Sequence, residues 1–137
     1  MQVFDLKERR TSIPMKRDMD LIRDILIRIE DDPQMDGTRE FYFNNAADMG
    51  FPNCSDDDLA YNFSLLVDEG FIDGGRTAFY PLIARRLTWN GHEFLDNIKN
   101  ANIWAKTKER LKGLSSVALH IVASVAEDEV KKFLGLR

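Results

Sequence analysis

Two histidines, one cysteine and a long run of carboxylates are the side chains in this sequence whose types and spacing first invite chemistry. His92 stands beside Glu93 in RLTWNGHEFLD (residues 86–96), and the two could be drawn as an acid–base pair. Neighbours on a helix point about 100 degrees apart, so a histidine that caps or packs the joint is the expectation instead. His120 falls in a narrow polar strip of an otherwise apolar segment and reads as solvated. Cys54, the single cysteine, allows neither an internal disulfide framework nor a cysteine-built zinc site and points to a reducing, cytoplasmic compartment. DDPQMDG (residues 31–37) is similar to the start of a calcium loop, but Phe43 occupies the place of the required bidentate Glu, which leaves a turn. No phosphate-binding Gly loop, GxSxG, HExxH or CxxC occurs. The expectation is a non-enzyme with no cofactor and no metal.

What remains is charge. The chain carries 19 basic and 23 acidic residues, a net charge of -4, very unevenly placed. Residues 31–75 hold eleven acids and one base, Arg39, whereas residues 99–137 hold eight bases and four acids. That partition predicts an acidic lobe and a basic end, which governs partner choice more than the total does. Within the lobe, the outward side of a helix over residues 56–69 presents Asp56, Asp57, Asp58, Tyr61, Asn62, Leu65 and Asp68, a patch suited to docking on a basic protein surface. The rival is a DNA regulator reading through Arg76, Arg85 and Arg86 of a hairpin and Lys106, Lys108, Arg110 and Lys112 behind it. In that rival the helix over 56–69 would be the recognition helix, yet it has no Lys or Arg, five acids, and Asn62 as its only plausible base reader.

These residues depend on a simple order of elements. Residues 18–31 form an amphipathic helix with Leu21, Ile22, Ile25, Leu26 and Ile29 inward. Residues 40–43 alternate as a short strand, and residues 45–50 suit a single helical turn. Ser55 and Asp58 frame a capping box for the next helix, with Leu59, Phe63, Leu66 and Val67 buried and Gly70 as its left-handed stop. A hairpin follows over 71–88, with Gly74-Gly75 and Pro81 as competing turns. Arg85, Leu87 and Trp89 share one face of its second strand, Thr88 caps a helix to residue 99, and Phe94, Leu95 and Ile98 turn inward. A short helix over 103–112 places Trp104, Thr107, Lys108 and Leu111 on one side. Ser115 or Ser116 caps the last helix, which has one stripe of Leu119, Val122, Ala126, Val130 and Phe133 and a second of Ala118, Ile121 and Val125.

From Met15 to about Leu136 the chain resembles an uncharacterised bacterial and phage family, a domain of unknown function with MKRDMDLIR and RLTWxGHEFLD motifs. Residues 15–23, 61–70 and 86–96 carry the likeness here, followed by Trp104, Lys106 and Lys108. Asn62 stands where the family has a His, and residues 1–14 precede its usual start. The resemblance implies a winged-helix-like fold and residence on mobile elements, and it implies no activity. The expected class is α+β: an arm over 1–14, a mostly helical winged-helix core with a small β-hairpin over 15–99, and two C-terminal helices over 100–137. The last helix is apolar over so much of its circumference that it must cap its own core or pack on a copy as a homodimer. The longest apolar run, residues 117–126, is about half the length that spans a bilayer, so no membrane partner is expected.

Overall fold

A computed structural model describes residues 17–114 and 117–136 of the protein. The elements in order are α1 (Met19–Glu30), β1 (Phe41–Phe43), α2 (Asp56–Asp68), β2 (Ile72–Gly75), β3 (Leu82–Leu87), α3 (Trp89–Ile98), α4 (Ala101–Leu111) and α5 (Leu119–Phe133). The chain is α+β. Its three strands form one antiparallel sheet in the order β1-β3-β2, with Tyr42 opposite Ile83 and Ile72 opposite Leu87. Helix, strand, helix, hairpin and helix around such a sheet is a winged-helix-like arrangement, to which α4 and α5 are added.

Local signals explain most boundaries. Asp18 caps α1 by accepting from Leu21 N at 3.1 Å, and Ser55 caps α2 by accepting from Asp58 N at 3.0 Å. Gly70, at φ 83, supplies the left-handed residue after the C-cap Glu69. Thr88 accepts from Gly91 N at 3.0 Å and so starts α3 immediately after the strand. Neither hairpin turn expected from the sequence is the turn. Gly74 and Gly75 lie in β2, where a bulge follows Asp73, and Pro81 precedes β3. The reversal is made by Thr77 N donating to Tyr80 O at 2.9 Å, with the Thr77 hydroxyl accepting from Tyr80 N. Gly74 is needed in the strand, because a Cβ there would lie 2.2 Å from the Ile83 carbonyl oxygen.

One hydrophobic core serves all the layers. Leu21, Ile25, Ile29, Leu59, Phe63, Leu66, Leu87, Phe94, Leu95 and Ile98 are buried together, and the cluster continues into Ile103, Trp104, Leu119, Val122 and Ala126. The C-terminal helices therefore share the core of their own chain. Trp104 donates its indole N–H to Asp20 at 2.8 Å, and Arg23 donates to the carbonyls of Ile98 and Lys99, which fastens α1 to α3 and α4.

Four sequence expectations need correction. Trp89 does not point inward: β3 ends at Leu87 and Thr88 is already a cap, so the alternation stops before Trp89, which is 77% exposed. Phe133 ends α5 outside the core at 67% exposure, because the last contacts of that stripe are made by Ala126 and Val130. The last helix begins at Leu119 behind Ala118, which makes no side-chain cap bond, while Ser115 and Ser116 lie outside the described residues, as does the 1–14 arm. Residues 45–50 form successive turns rather than a helix, with Met49 N and Phe51 N both donating to Ala46 O.

The tightest joint lies inside α3. A Cβ at Gly91 would meet the Phe71 carbonyl oxygen at 2.1 Å, a backbone atom that cannot swing aside. Gly91→Ala should therefore lower stability by about 1–3 kcal/mol or more, against the gain of nearly 1 kcal/mol that alanine gives in an open helix. Urea unfolding reads the sign, and a stabilised variant would contradict this packing. Phe63→Ala should cost about 3–5 kcal/mol in the same assay.

Candidate functional site

The acidic helix α2 and the chain around its first turn form an acidic surface. Asp56, Asp57 and Asp58 open the helix beside its positive dipole end, and no basic residue lies in its last turn. These acids have different tasks. Asp56 accepts from Ala46 N at 2.8 Å and so holds the turns ahead of the helix, whereas Asp58 is exposed at the mouth of an open groove. That groove, about 480 Å³, runs between the start of α1 and the start of α2. Asp18, Asp20, Asp24 and Asp58 supply its charge, and Phe51, Pro52 and Cys54 its apolar wall.

The carboxylates of the groove are not equivalent. Burial pushes Asp20 up, but the Trp104 indole and the Lys108 ammonium at 2.9 Å outweigh it and hold Asp20 below its ordinary value. Asp24 is pushed above its ordinary value, first by burial and then, against the pull of Arg23, by the negative charge of Asp20 and Asp18. Burial and the nearby Asp58, Asp18 and Asp56 raise the Cys54 thiol, which suppresses its nucleophilic form. The groove thus gathers four carboxylates, of which Asp20 is offset by Lys108.

Not every residue proposed for the acidic face reaches it. Asn62 is 1% exposed: its Oδ1 accepts from Asp18 N at 2.8 Å and its Nδ2 donates to Asp58 O at 2.9 Å. It is a buried clasp between α1 and α2, available neither to a protein partner nor to a base edge. Tyr61 and Leu65 are half-buried, and Asp68 is exposed at the far end of the helix. Asp20 and Asp24 of α1 and its cap Asp18 join the face; the like-charged Asp20 and Asp24, four residues apart, were the available signal.

The basic residues of the rival surface are mostly engaged. Arg85 and Arg86 share Asp73, at 3.3 and 3.7 Å, and Arg85 also donates to Gly37 O. Lys108 pairs with Asp20, Arg110 with Asp128 and Glu129, and Lys112 with Glu109. Arg76, in the loop after β2, and Lys106, on α4, are exposed. His92 does not pair with Glu93; its Nδ1 lies 3.1 Å from Glu30, which also takes the Lys99 ammonium, so the three tie the end of α1 to α3. Lys99 first, and His92 after the opposing effect of burial, hold Glu30 below its ordinary value. His120 is exposed.

A family model described as hypothetical protein (DUF2513) matches residues 16–118. The chain belongs to this family. The DUF2513 match takes in α1 to α4 and ends just before α5. The chain is also similar to an uncharacterized protein of Haemophilus influenzae (strain ATCC 51907 / DSM 11121 / KW20 / Rd), at 34% identity over 124 residues that cover 88% of this chain and 99% of that protein. No solved structure matches. Among the described residues no helix is long and apolar enough to cross a membrane, and no group of three or more His, Cys, Asp or Glu is placed to hold a metal ion.

The two shifted carboxylates give opposite pH signatures in this DUF2513 chain. Glu30, held low, contributes stability above the ordinary carboxylate range that is lost as pH falls through its depressed value. Asp24, held high, binds its proton more tightly when folded, so its ionisation opposes folding as pH rises toward neutrality. Glu30→Gln should therefore lower and Asp24→Asn raise the unfolding midpoint at about pH 7, with both differences shrinking toward about pH 3. Thermal melts across that range check this, and equal signs for the two variants would contradict it.

Proposed function

We propose that this protein is a non-enzymatic, cytoplasmic regulator or adaptor, of the kind carried by phage and mobile elements, that acts by docking its acidic α2 face on a protein partner with a basic surface. The observation that carries this reading is the groove in which the starts of α1 and α2 set Asp18, Asp20, Asp24 and Asp58 beside the apolar wall of Phe51, Pro52 and Cys54. A cationic partner complements that grouping, and long-range attraction orients the approach and speeds association. Tyr61 and Leu65 give the face an apolar middle, and Asp68 marks its far end. One form of such a protein is an inhibitor that offers carboxylates where a nucleic-acid-binding protein expects phosphates.

A duplex-DNA role finds less support, because Arg85, Arg86, Lys108, Arg110 and Lys112 each already face a carboxylate. Self-association of α5 is a separate proposal supported by the exposure of Ile121, Phe133, Leu134 and Leu136 after Leu119, Val122 and Ala126 have been buried. A C2 dimer would cover them.

Affinity capture from bacterial lysate, with and without nuclease, tests the acidic face. The wild type should retain a basic protein whether or not nucleic acid is digested, and Asp58→Lys with Asp68→Lys should lose it. Tyr61→Ala with Leu65→Ala should weaken capture while the variant still melts cooperatively. Retention of the same proteins by both double variants, or capture that vanishes with nuclease, would refute the reading.

A further inference from the structure

A separate cavity of about 200 Å³ lies between the C-terminal half of α2 and the hairpin. Buried Phe63 makes its floor, and half-buried Val67 and Pro81 are its apolar walls. Two opposite charges line it as well, Asp68 from α2 and Arg76 from the loop after β2. Both are exposed, and among the described residues neither side chain makes a hydrogen bond or an ion pair, with the other or with anything else. An apolar pocket with a free acid and a free base at its mouth suits an occupant that carries both signs around an apolar group.

The strand side of the cavity is Gly75, and nothing inside the chain requires glycine there. Its φ is not left-handed, and a Cβ would meet nothing within 4 Å, unlike Gly74, whose Cβ would strike the Ile83 carbonyl. Glycine weakens a strand, so what it leaves at this position is room. β2 is also the end strand of the sheet, and among the described residues no backbone pairs with its outer side. An edge strand offers N–H and C=O groups to a further strand. We propose that an extended segment of a partner protein adds to the β2 edge and seats one apolar side chain in this cavity, with a base and an acid flanking that residue to meet Asp68 and Arg76. Size favours a single side chain: the cavity exceeds the roughly 150 Å³ that holds benzene and falls short of the roughly 300–1,000 Å³ of small-molecule sites. The site adjoins the acidic face at Asp68 but does not rest on that reading, because it needs no basic surface on the partner.

The probe is a blocked seven-residue peptide with threonine at alternate positions, leucine at its centre, and lysine and glutamate two residues before and after the leucine. The full-length protein is titrated with it, and with the same peptide in reverse charge order, by calorimetry and by backbone amide shifts. One order should bind saturably and move the amides of β2 and of the C-terminal half of α2. Serine in place of the central leucine should weaken binding about ten- to hundred-fold. Gly75→Val should melt no lower than the wild type, since valine suits a strand, and yet lose the peptide. Arg76→Gln should weaken binding most at low salt. Absence of binding in both orders, equal binding of the serine peptide, or full binding by Gly75→Val would overturn the proposal. A Gly75→Val variant that melts well below the wild type would return Gly75 to a structural role and overturn it as well. N-acetyl-leucine amide binding as tightly as the peptide would make the cavity a small-molecule site and refute strand addition. Self-association abolished by Gly75→Val, read by sedimentation of the protein alone, would make a second copy the occupant and refute a foreign partner.

Discussion

The contact between Gly91 and the Phe71 carbonyl is the constraint on which the arrangement turns. Only a residue without a side chain lets α3 settle on the turn that ends α2, and Thr88 completes the seat by taking both its backbone and its hydroxyl to residues 70 and 71. Once α3 is held there, Phe94, Leu95 and Ile98 enter the core, Phe94 stacks on Phe71 with ring centroids 4.8 Å apart, and Trp89 is turned to solvent. The same seat therefore sets the core and exposes the indole. Sequence, packing and surface chemistry meet at one short segment.

A second constraint is polar. Asn62 spends both ends of its amide on the α1–α2 joint, where an apolar residue would leave Asp18 N without its partner. It brings the first turns of α1 and α2, capped by Asp18 and Ser55, side by side, while the repulsion of Asp24 by Asp20 and Asp18 is set within α1 itself. Lys108 offsets part of it through Asp20.

Much of this was legible in the sequence because the signals are local. Helical spacing identified the inward faces of α1, α2 and α3, whose residues other than the half-buried Val67 are buried in one core, and Ser55, Gly70 and Thr88 marked boundaries. The surface was less legible. Trp89 and Asn62 were misplaced because each sits where a period ends or a side chain is diverted: one residue separates strand from helix at Thr88, and a buried amide on a helix flank looks the same in sequence as a solvated one. The groove required knowing that α1 and α2 start side by side, a contact between residues 44 apart in sequence for which the sequence carries no periodic signal. The ion pairs of the basic set were hidden for the same reason, since Asp73, Asp20 and Asp128 reach those cations only after folding.

Residue-resolved mapping of a cationic ligand tests the central claim most directly. Backbone amide shifts of the isotopically labelled full chain, followed during titration with an arginine-rich peptide, should move around Asp24 and Asp58 at the groove and along α2 through Tyr61 to Asp68. Amides of the hairpin around Arg76 and of α4 around Lys106 should stay in place. Shifts confined to those basic elements, appearing with duplex DNA and absent with the peptide, would contradict a protein-docking acidic face.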